Sequence, residues 1–256
     1  MGDTQDLSLE KSEKEKYSFS KLSSFYTCPY GWWLRYEEHK VGIGNAFSSY
    51  GTFVHSIMER YAKGEADIWE LPALYEWEFE TAVPEKFPWN KYTVLHDSYY
   101  RQGLDFLKSF QGYDNYKILG VEQSFDQDID DWVFTGIIDL ILEDKEGKII
   151  IRDYKSKATF KNDKEKREYA RQLYLYSMYV KNKLGKFPDE LQFLMFRKQT
   201  LVTIPFNEED YSEAIGWAKN TVQTIRDALE FPPKCDDFYG NNLCNHREYC
   251  DFKKKE

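Results

Sequence analysis

Nowhere do the 256 residues run to about 18 consecutive apolar positions, which excludes a membrane-spanning helix. With 31% charged residues and a mean hydropathy of −0.71, little of the chain is suited to a bilayer. Met1–Lys16 has no apolar h-region, so no secretory signal is expected and a cytoplasmic location is. Cysteine is scarce, four residues in all, and without an export signal these read as a metal or cluster set rather than a disulfide framework. Basic residues are outnumbered 35 to 44, a net charge of −9, yet this does not exclude nucleic acid, because a nucleic-acid site needs only local positive potential. Internal repeats and low-complexity tracts are also missing. What abounds is aromatic: 18% of the chain, with 20 Tyr and 18 Phe, far too much for a disordered polypeptide and enough for a sizeable core.

Residues 1–16 read as a flexible tail and 17–256 as one domain. Ser18 or Ser20 can cap a first helix carrying Leu22, Phe25 and Tyr26, with a break at Cys28-Pro29 before Trp32, Trp33 and Tyr36. Phe53, Val54, Ile57, Met58 and Tyr61 predict a helix from Tyr50 to Ala62. Glu65 to Glu85 holds seven acids and no Lys or Arg, a solvated helical insertion to which no chemistry is given; another helix spans about 97–110. The period then changes to strands at 118–125, 132–142 and 148–155, the last two joined by a turn at Asp144-Lys145-Glu146-Gly147. A helix at 164–183, a strand pair at 191–196 and 201–206, and a long helix at 208–229 opened by Asn207 complete the pattern. The final stretch, Cys235 to Cys250, is too short and polar to pack alone and contains three of the four cysteines.

The hairpin is the most informative feature. If its turn is centred near Lys145-Glu146, residues whose numbers total 291 or 292 face each other, which makes Asp139 and Asp153 cross-strand neighbours. Like charges so opposed are destabilising, and Asp is a poor strand former set here among isoleucines. Two such acids ask for a cation, and the two-residue period puts Lys155 on the face of Asp153. Two carboxylates and a lysine suit magnesium or manganese, hard ions that take oxygen ligands and keep waters able to become nucleophiles. Taken alone, Asp153 and Lys155 would be a surface ion pair. His55, with Gly51 and Glu59 four residues to either side, would alone be a packed core residue, and Gln172 and Tyr176 ordinary members of one helix face.

Together, Gly51-x-x-x-His55, Gly136-x-x-Asp139, Asp153-Tyr154-Lys155 and Gln172-x-x-x-Tyr176 resemble the ordered motif set of the RecB-like branch of the PD-(D/E)XK nuclease superfamily. Ser18-x-Ser20-x-Leu22 through Cys28-Pro29, with three cysteines at the far end, is similar to its iron-sulfur subgroup, which includes the AddB nuclease domain, CRISPR-adaptation nucleases and phage-encoded exonucleases. The resemblance implies an α/β, restriction-endonuclease-like core with a central mixed β-sheet flanked by helices, its two ends joined by an iron-sulfur clasp. It implies His55, Asp139 and Asp153 as metal ligands with the Tyr154 carbonyl as an extra one, Lys155 polarising the attacking water, and Gln172 and Tyr176 supporting the site. Glu122 reads either as an outer-shell acid or as a solvent-facing strand residue. The resemblance further implies a [4Fe-4S] cluster on Cys28, Cys235, Cys244 and Cys250. The subgroup's Cys-x2-Cys-x5-Cys run is here Cys235-x8-Cys244-x5-Cys250, so His246 is a spare ligand and zinc the alternative metal.

Between Lys155 and Arg171 seven basic residues face three acids, and Lys157, Lys161, Arg167 and Arg171 are candidate phosphate contacts. Trp32, Trp33 and Tyr36 offer either base stacking or core packing. The activity expected is magnesium- or manganese-dependent hydrolysis of DNA, as an exonuclease on single-stranded ends in recombination, repair or phage DNA metabolism, in a bacterial or phage-infected cell. The alternative is a non-catalytic DNA-binding or scaffold subunit of a recombination complex. No helicase motif is present, so unwinding would come from a helicase or recombination partner.

Overall fold

The computed structural model describes residues 14–235 and 237–250. A short strand, β1 (Lys16–Ser18), precedes five helices: α1 (Phe19–Thr27), α2 (Pro29–Tyr36), α3 (Ala46–Ala62), α4 (Leu71–Ala82) and α5 (Leu95–Ser109). The meander is β2 (Tyr116–Ile129), β3 (Trp132–Asp144) and β4 (Ile149–Lys155). Then come α6 (Asp163–Leu184), β5 (Glu190–Met195), β6 (Thr200–Pro205), α7 (Glu208–Arg226) and the short α8 (Asp237–Asn242). Helix starts follow side-chain chemistry: Ser18, Asn45, Asn162 and Asn207 each accept a hydrogen bond from a first-turn N–H. The Asp144 Oδ1 accepts from the N–H groups of Glu146 and Lys148, and Gly147, at φ +81°, completes the turn.

All six strands form one mixed sheet. On one edge of β3 lies β2, antiparallel; on the other, β1 runs parallel beside Val133–Thr135, and β4 runs antiparallel beside Leu140–Glu143. β4 continues to β5 in parallel and β5 to β6 in antiparallel. Helices cover both faces, the arrangement that buries a central sheet. One core packs Ile149, Ile151 and Phe193 against α1, α2, α6 and α7; the other packs Leu140, Leu142 and Ile150 against α3, α4 and α5. Among the described residues no helix is long and apolar enough to cross a membrane.

One expectation changes and one open alternative resolves to core packing. Residues 1–13 of the tail lie outside the described residues, but Lys16 belongs to β1, where Lys14 and Lys16 pair with Asp128 and Asp126 at 2.7 and 2.8 Å. A three-residue strand is too short to show a period. Trp32 is not available for bases: it is 3% exposed and stacks on Phe231 with centroids 5.7 Å apart, and Trp33 and Tyr36 pack on the same core.

Candidate active site

The ladder between β3 and β4 has the register the turn dictates, Leu140 opposite Arg152, and it stops there. Beyond this pair β4 stays with β5 through Lys155, while β3 is unpaired on that edge until Thr135 meets β1. The sheet therefore forks, and Asp139, Asp153, Tyr154 and Lys155 line the fork. At the same point β3 changes phase: Phe134 and Ile138 face the α6–α7 core, whereas Leu140 and Leu142 face the α3–α5 core. On the neighbouring strand Glu122 sits at φ +45°, a left-handed conformation that L residues rarely adopt. Neither Glu122 nor Asp139 keeps a ladder partner, although Val121 pairs Leu140 and Gln123 pairs Ile138 on either side of them.

This distortion turns both acids towards α3. The donor atoms of His55, Glu122 and Asp139 lie within 4.8 Å of one another. His55 Nε2 is 2.9 Å from the Tyr154 carbonyl and its Nδ1 is 3.4 Å from Asp139 Oδ2. A carbonyl only accepts, so Nε2 carries the hydrogen, and Nδ1 of the neutral ring presents its lone pair beside the carboxylate. Burial, with Lys155 adding to it, holds the imidazole below its ordinary pKa and so favours the neutral form. Asp139 Oδ2 also accepts from Tyr154 N–H at 2.8 Å. Burial and the nearby Asp153 push the Asp139 carboxyl well above the usual range, and burial, with Glu59 next, raises Glu122. Acids so crowded and desolvated, beside a neutral imidazole, form a donor set that fits a hard divalent cation.

On the opposite wall the polar groups form a chain. Asp153, 3% exposed, has its Oδ2 2.7 Å from Lys155 Nζ, an ion pair without an aligned hydrogen bond. Lys155 Nζ donates to Gln172 Oε1 at 3.0 Å, and Gln172 Nε2 donates to Tyr176 Oη at 2.9 Å. Burial raises the Tyr176 hydroxyl, so it stays protonated. The motif glycines permit close approaches: a Cβ on Gly51 would be 3.3 Å from Ser156 Oγ, and one on Gly136 would be 2.7 Å from the Tyr176 ring. An open cleft of about 450 Å³, lined by Phe47, Gly51, His55, Glu59, Glu122 and Ser156, leads to these groups.

All the residues named from the motifs thus meet at the fork, with two differences. Asp153 is turned to Lys155 and stays outside the tight donor group, and the Tyr154 carbonyl is engaged by His55. Glu122 takes their place, and the signal for it, the backbone reversal, is not written in residue type or spacing. Of the basic patch, Lys157 pairs with Glu165 at 2.6 Å and Arg171 with Glu213 at 2.5 Å while lying over Trp217, so only Lys161 and Arg167 of the four point outward.

The four cysteines line one pocket together with Gly31, His246 and Arg247, and they form no disulfide. Cys28 sits between α1 and α2 and caps the latter, its sulfur accepting from the N–H groups of Gly31 and Lys234, each at 3.4 Å. His246 is 7% exposed, and its Nδ1 is buried without a hydrogen-bond partner among the described residues. Main-chain N–H groups aimed at a sulfur and an unsatisfied imidazole nitrogen fit a site that holds a metal centre through soft ligands. The same segment is fastened to the loop before α3: Ile43 N–H donates to the Asn245 carbonyl at 2.8 Å, and Asn45 Nδ2 donates to Leu243 O and Asn245 Oδ1.

A crystal structure of a candidate exonuclease from Eubacterium rectale is similar in fold, with a TM-score of 0.52 at 14% identity over 97% of this chain and 93% of that one. The crystal structure of SSO0001 aligns over 94% of this chain and 88% of its own, with 15% identity and a TM-score of 0.41. No curated protein matches the sequence. The PD-(D/E)XK nuclease superfamily model matches residues 16–254, nearly the whole length on which the fork, its acids and its lysine are built, and the chain belongs to that superfamily.

Proposed function

We propose that this protein is a magnesium- or manganese-dependent deoxyribonuclease of the RecB-like, iron-sulfur type, acting as an exonuclease on single-stranded DNA ends. The observation that carries the reading is the pairing of two walls across the fork: His55, Glu122 and Asp139 on one side, and the Asp153–Lys155–Gln172–Tyr176 chain on the other. His55, Glu122 and Asp139 would hold a divalent cation, which would supply Lewis-acid stabilisation of charge on the scissile phosphate. Lys155, held in place by Asp153 and Gln172, orients the attacking water through Nζ and donates to the phosphate oxygens. Tyr176 holds Gln172 through its hydroxyl, which fixes the lysine's direction. Lys161 and Arg167, beyond the catalytic strand, take the phosphate backbone.

Cys28, Cys235, Cys244 and Cys250 would hold a [4Fe-4S] cluster as a structural clasp. The reading places the protein in recombination, repair or phage DNA metabolism in the cytoplasm of a bacterial or phage-infected cell, beside a helicase or recombination protein. An intact set of acids and lysine disfavours a scaffold without catalysis.

The test is degradation of labelled linear, circular, 5′-blocked and 3′-blocked single-stranded DNA by the purified protein with magnesium or manganese. Linear strands should be degraded from an unblocked end, circles should survive, and the Asp153→Ala variant and chelator should stop the reaction. No metal-dependent cleavage of any substrate overturns the assignment; cleavage of circles overturns its exonuclease form.

A further inference from the structure

The sign of the surface switches sharply at residue 85. Glu65 to Glu85 carries seven acids and no base, whereas Lys86-Phe87-Pro88-Trp89-Asn90-Lys91-Tyr92-Thr93-Val94 carries two lysines and no acid. In this second stretch Trp89 is 86% exposed and Tyr92 81%. Large aromatic rings left in water on a short loop lose the burial that normally favours them, yet the loop is not loose at its root. Phe87 is wedged between Phe47, at a centroid distance of 5.3 Å, and Tyr99, at 4.9 Å. Lys91 Nζ sits 4.7 Å from the Tyr92 centroid, and Asn90 Oδ1 accepts from Tyr92 N–H at 2.8 Å, so the tip has a defined shape. An open pocket of about 360 Å³, room for a nucleobase, lies between Phe87, Trp89, Val94 and His96.

Phe47, the anchor of this loop, also lines the cleft that holds His55. It precedes His55 by eight positions on α3, about 12 Å along the helix axis. The aromatic loop therefore stands at the mouth of the cleft. We propose that residues 86–94 form a stacking platform for the unpaired DNA strand entering the fork, with Trp89 and Tyr92 taking bases and Lys86 and Lys91 taking phosphates. Exposed rings interleaved with cations are what a flexible strand needs, since every base offers a π-face whatever its identity, and a duplex keeps those faces covered. The proposal rests on the nuclease reading for its ligand and extends it: this loop, rather than the Trp32–Tyr36 helix, is what selects single strands.

The experiment measures binding of labelled oligothymidylate, an abasic strand of equal length and a blunt duplex to the full chain in chelator, where nothing is cut. Trp89→Ala should weaken oligothymidylate binding on the order of tenfold, the usual effect of losing one base–aromatic stack. Adding Tyr92→Ala should weaken it further, and Trp89→Phe should recover most of the loss. Abasic and duplex binding should hardly change, melting temperature should be untouched, and Trp77→Ala, an equally exposed tryptophan among the acids of α4, should bind as wild type. Unchanged oligothymidylate affinity in the double variant overturns the proposal and leaves the rings to a protein partner. Equal losses on abasic strand and duplex also overturn it, because they would mean phosphate contact alone. If the wild type fails to cut any DNA with metal while binding still depends on Trp89, the nuclease reading falls and the platform stands.

Discussion

Gly136 and Tyr176 occupy each other's space: a single methyl group on the glycine would lie 2.7 Å from the tyrosine ring. The β3 backbone is thereby the floor on which the last member of the polar chain rests. Gly136→Ala should displace Tyr176 and the Phe125 ring beside it, destabilising the fold by about 1–3 kcal/mol as overpacking does. Denaturant unfolding checks this, and cleavage should fall with it because Gln172 loses its support.

Lys155 and Gln172 should behave as one unit. Lys155→Ala should lower single-turnover cleavage by about 10²–10⁴-fold with little loss of DNA affinity, since it is one phosphate contact among several. Gln172→Ala should cost less, and the double variant no more than Lys155→Ala alone, because Gln172 acts through the lysine it holds at 3.0 Å. Fully additive losses would show that Gln172 has a separate role.

Asp139 gives a pH signature. Its folded pKa is raised by burial and by Asp153, so the folded state holds a proton that the unfolded chain releases near about 3.9. Stability from this group is complete below that value and is lost as pH climbs through the raised one. Asp139→Asn keeps an acceptor for Tyr154 N–H and removes the charge. Metal-free, the variant should therefore match or exceed wild-type stability towards neutral pH, while magnesium should stabilise the wild type and leave the variant unmoved. Melting curves across pH with and without magnesium test both halves.

Glu122→Gln should weaken magnesium or manganese binding by about ten- to hundredfold without unfolding the protein, since Glu122 is bonded into no ladder pair. Isothermal titration with manganese reads this directly. Unaltered affinity would return Glu122 to the status of a strand residue near solvent.

Anaerobically purified protein should be brown and contain iron. Cys28→Ala, Cys244→Ala and Cys250→Ala should each remove the colour and lower the melting temperature, whereas Asp153→Ala should stay brown. Cys235→Ala and His246→Ala together identify the remaining ligand: whichever variant loses iron supplies it. About one zinc per chain and no colour would replace the cluster with a zinc clasp.

Much of this site was legible because it depends on short-range rules. The turn at Asp144–Gly147 sets the β3–β4 register, and a period of two carries Lys155 to the Asp153 face, but the ladder ends at Leu140 and Arg152, so Asp139 and Asp153 line a fork instead of facing each other as a ladder pair. Spacing of four on a helix placed Gln172 over Tyr176. Glu122 was not legible as a partner of His55, since its direction comes from a positive φ and a phase change in the adjacent strand, which no alternation pattern encodes. Charge counting likewise could not tell that Glu165 and Glu213 neutralise Lys157 and Arg171, because Glu213 comes from a different helix. Nor could composition say which tryptophans are buried: Trp32 and Trp89 look alike in sequence and differ only in what the fold brings against them.

The parallel strand β1 has a consequence for how the chain is made. Its partners, Val133 to Thr135, follow it by more than a hundred residues, and the sulfur of Cys28 shares a pocket with residues some two hundred positions later. At about 5–20 residues per second, roughly 10–40 s separate the emergence of Cys28 from that of Cys235. The β2–β3–β4 meander, whose contacts are local, can form once Lys155 has emerged, while the Cys28 thiol and the Phe231 side of Trp32 still wait for the later segments. The cysteine pocket, opened by one of the earliest described helices, is thus complete only when Cys250 has been made.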